Sequence, residues 1–349
     1  MPSERQLSAV YPGLFENEEV AVQFLMDENV LVIPHCPTCQ GPMLKLTTKR
    51  NLYQCRRKAC RKSISILTGS FFGGCKSVCG ILRLCYLILA EVEHTSLEKL
   101  TGYKGEIVTK WHNAVLELMR IDEESQPEDI RMMGGPNWAT GEDAIVEIDE
   151  SKFGKVMYGY GHPVAGAWVV GLIKRKRGLI AGKFVAQVVP DRSAPTLEAI
   201  IAHYVRPGTA LYSDMWKGYR TWYLNTLGIL HRTVNHSENF VDPVTGVHTN
   251  TIEGIWQAVK KRVPKRCQGI DDIQPYLYRY MWARRHKENI WERFLFCLRV
   301  IRYDDHGPVA PVQVPAAAQV VHPVEPPEVV VEQEEEEVDF VWENNCVIS

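Results

Sequence analysis

Residues 144–154 read AIVEIDESKFG, an apolar-rich alternation that predicts a strand ending near Asp149. A carboxylate at such an end projects from the sheet rim, where open α/β sheets place their sites. Taken alone, the same aspartate serves equally well as a turn or cap residue. Glu150, the next residue, points to the opposite side of a continuing strand. Working outward, AGAWVVGLIKR (165–175) and GKFVAQVV (182–189) predict two more strands. APTLEAIIAHYV (194–205) predicts a helix and TALYSD (209–214) a strand ending at Asp214. A Tyr/Trp-rich helix (216–227), a strand HRTVNH (231–236) and a long helical region from about Asn250 follow. This is a mixed sheet flanked by helices.

Three strands, helix, strand, helix, strand, helix is the order of an RNase H-like α/β domain, although many mixed folds share parts of it. Asp214 could cap the helix at Trp216. Glu253, in HTNTIEGIWQAVKKR (248–262), has the capping-box spacing with Asn250. The functional reading instead joins Asp149, Asp214 and Glu253, with Glu253 in a helical first turn facing the sheet rim. Three hard oxygen donors suit Mg²⁺ or Mn²⁺. A pair of such ions activates an attacking oxygen and stabilises a leaving one. Lys260 lies two turns beyond Glu253 on the same helical face, where it can meet a phosphate.

Before the sheet, Cys36-x2-Cys39 and Cys55-x4-Cys60 are two knuckles within HCPTCQGPMLKLTTKRNLYQCRRKACRKSIS (35–65). Four thiolates at this spacing can close a tetrahedron around structural Zn²⁺. Lys45, Lys49, Arg50, Arg56, Arg57, Lys58, Arg61 and Lys62 decorate the module, either as phosphate contacts or as a solvated basic surface. Cys75, Cys79 and Cys85 lie at helical spacings in an apolar stretch and read as core. SLEKLTGYKGEIVTKWHNAVLELM (96–119) has the shape of a helix-turn-helix, with Ile107–Leu118 as its recognition helix if it reads DNA. Many helical hairpins share that pattern. No secretory signal is visible at the N-terminus, and no apolar run is long enough to span a bilayer.

Charge is unevenly spread. No Lys or Arg follows Arg302, and nine acids lie between Glu325 and Glu343, leaving 40 basic against 33 acidic residues before them. A basic body with an acidic tail suits a polyanionic partner. Lys260, Lys261, Arg262, Lys265 and Arg266 form the densest candidate DNA surface. Arg279, Arg284, Arg285, His286 and Lys287, interleaved with aromatics, extend it, unless those aromatics pack inward. The chain divides into an N-terminal helical segment (1–34), a zinc ribbon (35–72), a helical HTH-like region (73–121), a linker (122–142), the RNase H-like domain (143–303) and a disordered acidic tail (304–349).

VEIDESKFGK (146–155), YSDMWKGY (212–219) and VNHSENFVDPVTGVHTNTIEGIWQAVKKR (234–262) resemble, in order, the three catalytic blocks of IS1595-like (ISXO2-like) transposases, and within them the IS1016/Merlin group. The resemblance covers roughly residues 30–300. It implies an RNase H-like DDE transposase domain with Asp149, Asp214 and Glu253 as the metal-holding triad and Lys260 as the accompanying base. Related groups carry Asn at the third acidic position; Asn250 lies nearby, and Glu253 is the choice here. His236, Asn239 and His248 fall in the same block as substrate-side support. The implied activity is metal-dependent strand cleavage and strand transfer at terminal inverted repeats. The implied partners are double-stranded DNA, both element ends and target, and further copies of the chain as a homodimer or higher oligomer. Nuclear residence follows from the eukaryotic members, with the bacterial cytoplasm or nucleoid otherwise. Two alternatives stand beside it: a domesticated DNA-binding protein without cleavage, and a host nuclease of the same fold acting on structured nucleic acid.

Overall fold

A computed structural model describes residues 1–46, 51–136, 144–154, 166–175, 182–238, 240–304 and 307–309. Residues 137–142 of the linker and 310–349 of the acidic tail lie outside them, as does Asn239. Among the described residues no helix is long and apolar enough to cross a membrane.

The N-terminal part starts with α1 (Glu4–Val10), closed by a Ser3/Gln6 capping box, and α2 (Glu18–Asp27), capped by Asn17. The short strands β1 (Met43–Lys45), β2 (Leu52–Cys55) and β3 (Ser63–Ser65) form an antiparallel sheet. Next come α3 (Val78–Leu89), α4 (His94–Thr101) and α5 (Gly105–Glu124). Ten of the twelve residues of α3 are buried, Cys79 and Cys85 among them, as expected of a helix apolar all round. Glu18 locks α2 to it, accepting the Val78 amide at 2.8 and 3.0 Å. The hairpin α4–α5 turns at Gly102, whose φ of +70° favours glycine. On α5, Val108, Trp111 and His112 are buried while Ile107, Thr109, Lys110 and Asn113 are exposed.

Between the two halves of the chain run α6 (Glu128–Arg131) and β4 (Met133–Gly134). The sheet follows, with β5 (Ala144–Lys152), β6 (Trp168–Lys174) and β7 (Phe184–Val189) as an antiparallel meander. Helix α7 (Ala194–Tyr204) and the short β8 (Val205–Arg206), which pairs with β4, lead to β9 (Thr209–Asp214). Then come α8 (Thr221–Thr226), β10 (Leu230–Val234) and α9 (Asn250–Arg262). The strand order is β10-β9-β5-β6-β7, with β9 parallel to β5 and β10 parallel to β9. A three-stranded meander extended from its first strand by two parallel strands is the RNase H-like arrangement, so the expected fold class holds. The helix expected over 216–227 is shortened to α8, because residues 215–220 are used in a turn beside Asp214.

The chain closes with α10 (Gln274–Arg285), α11 (Ile290–Val300) and a hairpin of β11 (Arg302–Asp304) and β12 (Gly307–Val309). Helix α10 covers the β7 edge, where Gln274 Oε1 accepts the Val188 amide at 3.1 Å. Helix α11 packs into the N-terminal core: Trp291 lies 5.7 Å from Tyr86, and Phe294 6.1 Å from Phe71, between ring centroids. The described residues up to Val309 thus form one compact unit with two large apolar cores and a small third one, and the ends of the sequence segments at 121 and 303 fall within packed structure. Asp122, the first residue of the stretch read as a linker, is buried. It accepts Trp282 Nε1 at 2.7 Å and Arg293 Nε at 2.9 Å. Partners that far along the chain leave no local signal.

Candidate active site

The register of the parallel pair β5–β9 ends at Glu147↔Tyr212. Continued two residues, it sets Asp149 level with Asp214, and residues level in a parallel pair share a face. Both aspartates therefore stand on the face covered by α9, Asp214 as the last residue of β9 and Asp149 inside β5, which runs on to Lys152 instead of ending near Asp149. On the other flank, Asp149 pairs with Gly171 of β6. A side chain at Gly171 would run into Trp256 of α9, whose Cζ2 lies 2.6 Å from the position of a β-carbon. The bare glycine lets the indole lie flat on the sheet and donate from Nε1 to Asp149 Oδ2 at 3.0 Å. Burial pushes the Asp149 carboxyl up to about 6, and the nearby charges of Asp214 and Glu253 add to the push.

Asp214 is half-buried, and its Oδ1 accepts the backbone N–H of Trp216 at 2.9 Å. Glu253 sits in the first turn of α9, half-buried, with Oε1 3.3 Å from Thr249 Oγ1 and 3.5 Å from His236 Nε2. His236 Nε2 in turn lies 2.7 Å from Thr249 Oγ1. The capping box expected between Asn250 and Glu253 is not formed. Asn250 is exposed inside the helix, and the start of α9 is capped from the sheet by Glu147. That carboxylate is fully buried and accepts the Ile252 amide at 3.0 Å, Thr251 Oγ1 at 2.7 Å and Arg175 Nε at 2.6 Å. With the helix end served by Glu147, Glu253 is left to face the rim. Glu147 was missed in the sequence, although an acid at an inward strand position, flanked by Val146 and Ile148, is a signal that a partner must exist. His248 belongs to this support as well: its carbonyl accepts Arg175 Nη2 at 2.8 Å.

Glu150 lies on the opposite face, as its place in β5 predicts. Tyr219 donates to it, and Arg192 Nη1 approaches to 3.9 Å. The strand end thus carries acids of two kinds. Glu147 and Glu150 face arginines, whereas among the described residues neither Asp149 nor Asp214 has a basic partner within 4.0 Å. Asp149 and Asp214 together with Glu253 offer hard oxygens that no lysine or arginine among the described residues pairs with, which fits a divalent cation. Their oxygens do not all lie within 4.8 Å of one another.

Lys260 follows Trp256 along the same face of α9, exposed, with Nζ 5.6 Å from the Phe153 ring centre. Lys261, Lys265 and Arg266 are exposed too. Arg262 is exposed but engaged, with Nε 2.9 Å from Glu91 and its guanidinium over Tyr280. The extension into α10 is corrected. Arg279 donates to the Ile88 carbonyl at 3.2 Å, Arg284 to the Gly182 carbonyl at 3.2 Å, and Arg285 pairs with the buried Glu123 at 2.8 Å. With Trp282 fully buried, this helix joins the two cores, and most of its cations are spent inside the protein.

Away from the sheet, Cys36, Cys39, Cys55 and Cys60 bring their sulfurs together, all within 4.8 Å. The Cys36–Cys60 and Cys39–Cys55 separations are 3.6 and 3.5 Å. Tetrahedral Zn–S bonds of about 2.3 Å set sulfurs roughly 3.8 Å apart, so the cluster has the size and donor chemistry of a four-thiolate zinc site.

Residues 145–289 match the model of the ISXO2-like transposase domain. Among solved structures, the catalytic core domain of BIV integrase aligns at 15% identity with a TM-score of 0.27, over 44% of this chain and 93% of that one. No curated protein matches the chain.

Proposed function

We propose, from the premise that residues 145–289 are an ISXO2-like transposase domain, that this protein is a DDE transposase of the IS1016/Merlin group. It cuts DNA at terminal inverted repeats and joins the freed ends to target DNA. The observation that supports the reading is that Asp149 and Asp214 lie on the adjacent parallel strands β5 and β9, with Glu253 in the first turn of α9, whose Trp256 bonds Asp149. Asp149, Asp214 and Glu253 are the groups that would hold Mg²⁺ or Mn²⁺, and such ions supply activation of the attacking oxygen and stabilisation of the leaving one.

The chain's own contribution is positional. Trp256 fixes one oxygen of Asp149 and shields it from water, the Trp216 amide fixes one oxygen of Asp214, and Thr249 with His236 steadies Glu253. Lys260, exposed beyond Trp256, meets a phosphate of the bound strand. In cleavage, a water oxygen bonds to the scissile phosphorus as the P–O3′ bond breaks, and the 3′-oxygen leaves with a proton as a hydroxyl. In joining, that hydroxyl attacks a target phosphodiester, and one P–O bond is exchanged for another. The four-cysteine cluster would hold Zn²⁺ to stabilise a segment too small to bury a core of its own.

The test is cleavage of DNA carrying the element's own ends, with Mg²⁺ or with EDTA. Cleavage is expected only with metal, and it is abolished by Asp149→Ala, Asp214→Ala or Glu253→Ala while DNA binding persists. Undiminished cleavage by the triple variant overturns the reading. Specific binding without cleavage, even in Mn²⁺, leaves a domesticated DNA-binding protein instead.

A further inference from the structure

Arg192, just ahead of α7, is held in a way that the three acids do not explain. Its guanidinium carbon lies 4.1 Å from the ring centre of Trp168 and 4.2 Å from that of Trp216. The cation is stacked between two indoles, one from the start of β6 and one from the turn after β9. Trp216 Nε1 donates to the Arg192 carbonyl at 3.2 Å, which closes the arrangement. Contact with two indole faces restricts the guanidinium and leaves its edge donors available to an anion.

Among the described residues those donors make only a long ion pair with Glu150. Among the described residues the Arg192 side chain makes no hydrogen bond, and its approach to Glu150, at 3.9 Å, exceeds hydrogen-bond reach. The side chain is nevertheless 32% exposed. A structural arginine fully engaged in an ion pair looks different in this same protein: Arg175 meets Glu147 at 2.6 Å. Lys152, with Nζ 5.2 Å from the Trp168 ring centre, adds a second positive charge to the platform. The platform shares a residue with the acid site, since the Trp216 amide holds Asp214.

We propose that the Trp168–Arg192–Trp216 stack is a phosphodiester-binding site, which grips a DNA backbone phosphate from the face of the sheet opposite Trp256. The proposal rests on the transposase reading and deepens it. A planar fork whose one ionic neighbour, Glu150, lies beyond hydrogen-bond reach matches two oxygens of one phosphate. The indoles make the fork rigid, so little side-chain freedom is lost on binding.

The experiment is DNA binding by the full chain in EDTA, so that no chemistry intervenes, with a fluorescent random-sequence duplex and salt varied over roughly 50–200 mM. Each phosphate contact contributes about 0.9 to the slope of log affinity against log salt. Arg192→Ala is expected to reduce that slope by about 0.9 and to lower affinity at fixed salt roughly ten-fold. Arg192→Lys retains the slope but loses affinity several-fold, because an ammonium neither forks nor stacks in the same way. Trp168→Ala, which frees the guanidinium without removing its charge, lowers affinity at unchanged slope. These two variants keep the test open if Arg192→Ala fails to fold. Arg192→Ala with lower affinity at the wild-type slope indicates a merely structural stack and overturns the proposal. So does wild-type affinity in all three variants. A wild-type chain that binds no DNA overturns the transposase reading itself, and this site with it.

Discussion

Replacing Gly171 with alanine tests whether the packing of α9 on the sheet sets the acid geometry. The added carbon would lie 2.6 and 2.7 Å from Trp256 Cζ2 and Cη2, and 3.3 Å from Phe184 Cε2. Ordinary contact begins at 3.4 Å, so the indole must retreat by about 0.8 Å, the gap between 2.6 and 3.4 Å. It has nowhere soft to go: Trp256 is buried, with the rings of Phe153 and Phe184 each 6.0 Å away between centroids. Moving Trp256 carries α9 outward, stretches the 3.0 Å bond to Asp149 and shifts Glu253 by a similar amount.

Overpacking of this kind costs about 1–3 kcal/mol of stability. A displacement near 1 Å at a reacting centre costs on the order of 100-fold in rate. Gly171→Ala is therefore expected to remain folded at moderate temperature and to lose roughly two orders of magnitude in single-turnover cleavage. Denaturant unfolding and a metal-dependent cleavage assay measure the two effects separately. The double variant Gly171→Ala/Trp256→Leu, with a smaller side chain over the strand, should recover stability but not rate, because the donor to Asp149 is gone. Wild-type rate and stability in Gly171→Ala would refute the argument that this glycine seats the helix.

Two further predictions concern metal. With divalent ions chelated, Asp149→Asn is expected to be more stable than wild type at neutral pH, by on the order of 3 kcal/mol. The Asp149 carboxyl is raised from 3.8 to about 6 by burial. The stability that its neutral form retains is thus fully present below 3.8 and is lost as the pH rises through about 6. Thermal melts in EDTA should show the advantage of Asp149→Asn shrinking as the pH falls through that window, and a pH-independent difference contradicts the assignment. At the other site, the purified chain should carry one zinc on its four-cysteine cluster by native mass spectrometry, and Cys39→Ser should lose it and expose residues 35–65 to protease. Undiminished zinc in that variant would exclude the cluster as the ligand set.

The sequence showed what local chemistry encodes. The five strands of the main sheet announce themselves as short apolar-rich runs, and Asp214 by ending one of them, whereas β5 continues past Asp149 to Lys152. The cysteine knuckles are legible because their spacing is short and the chain folds back on itself within thirty residues. What stayed hidden depends on partners remote in sequence. Glu147 caps a helix that begins more than a hundred residues later, so the Asn250–Glu253 spacing offered itself as the cap in its place. Asp122 and Glu123 looked like linker residues because Arg293 and Arg285, which make their burial tolerable, lie in the last helices. The aromatic-rich α10 looked like a DNA surface for the same reason: periodicity does not say whether a mixed aromatic and basic face meets solvent or a second core.

The acid with no chemistry to perform fixes the position of those that have it. In β5 the side-chain period is two, so a slip of one residue would exchange Asp149 for Glu150 or Ile148 beneath Trp256. Three constraints oppose the slip, and all act on the α9 face of the sheet. Glu147 must reach the Ile252 amide and Arg175 together, the residue opposite the indole must lack a β-carbon, as Gly171 does, and Phe153 must arrive under Lys260. Each is met only in the observed register. A buried carboxylate with its ionic partner removed costs several kcal/mol, so the Glu147–Arg175 pair alone makes a shifted strand unfavourable. The placement of Asp149 beside Asp214 is thus set by packing that would exist with no metal and no DNA, which is the pre-organisation a metal-dependent site requires.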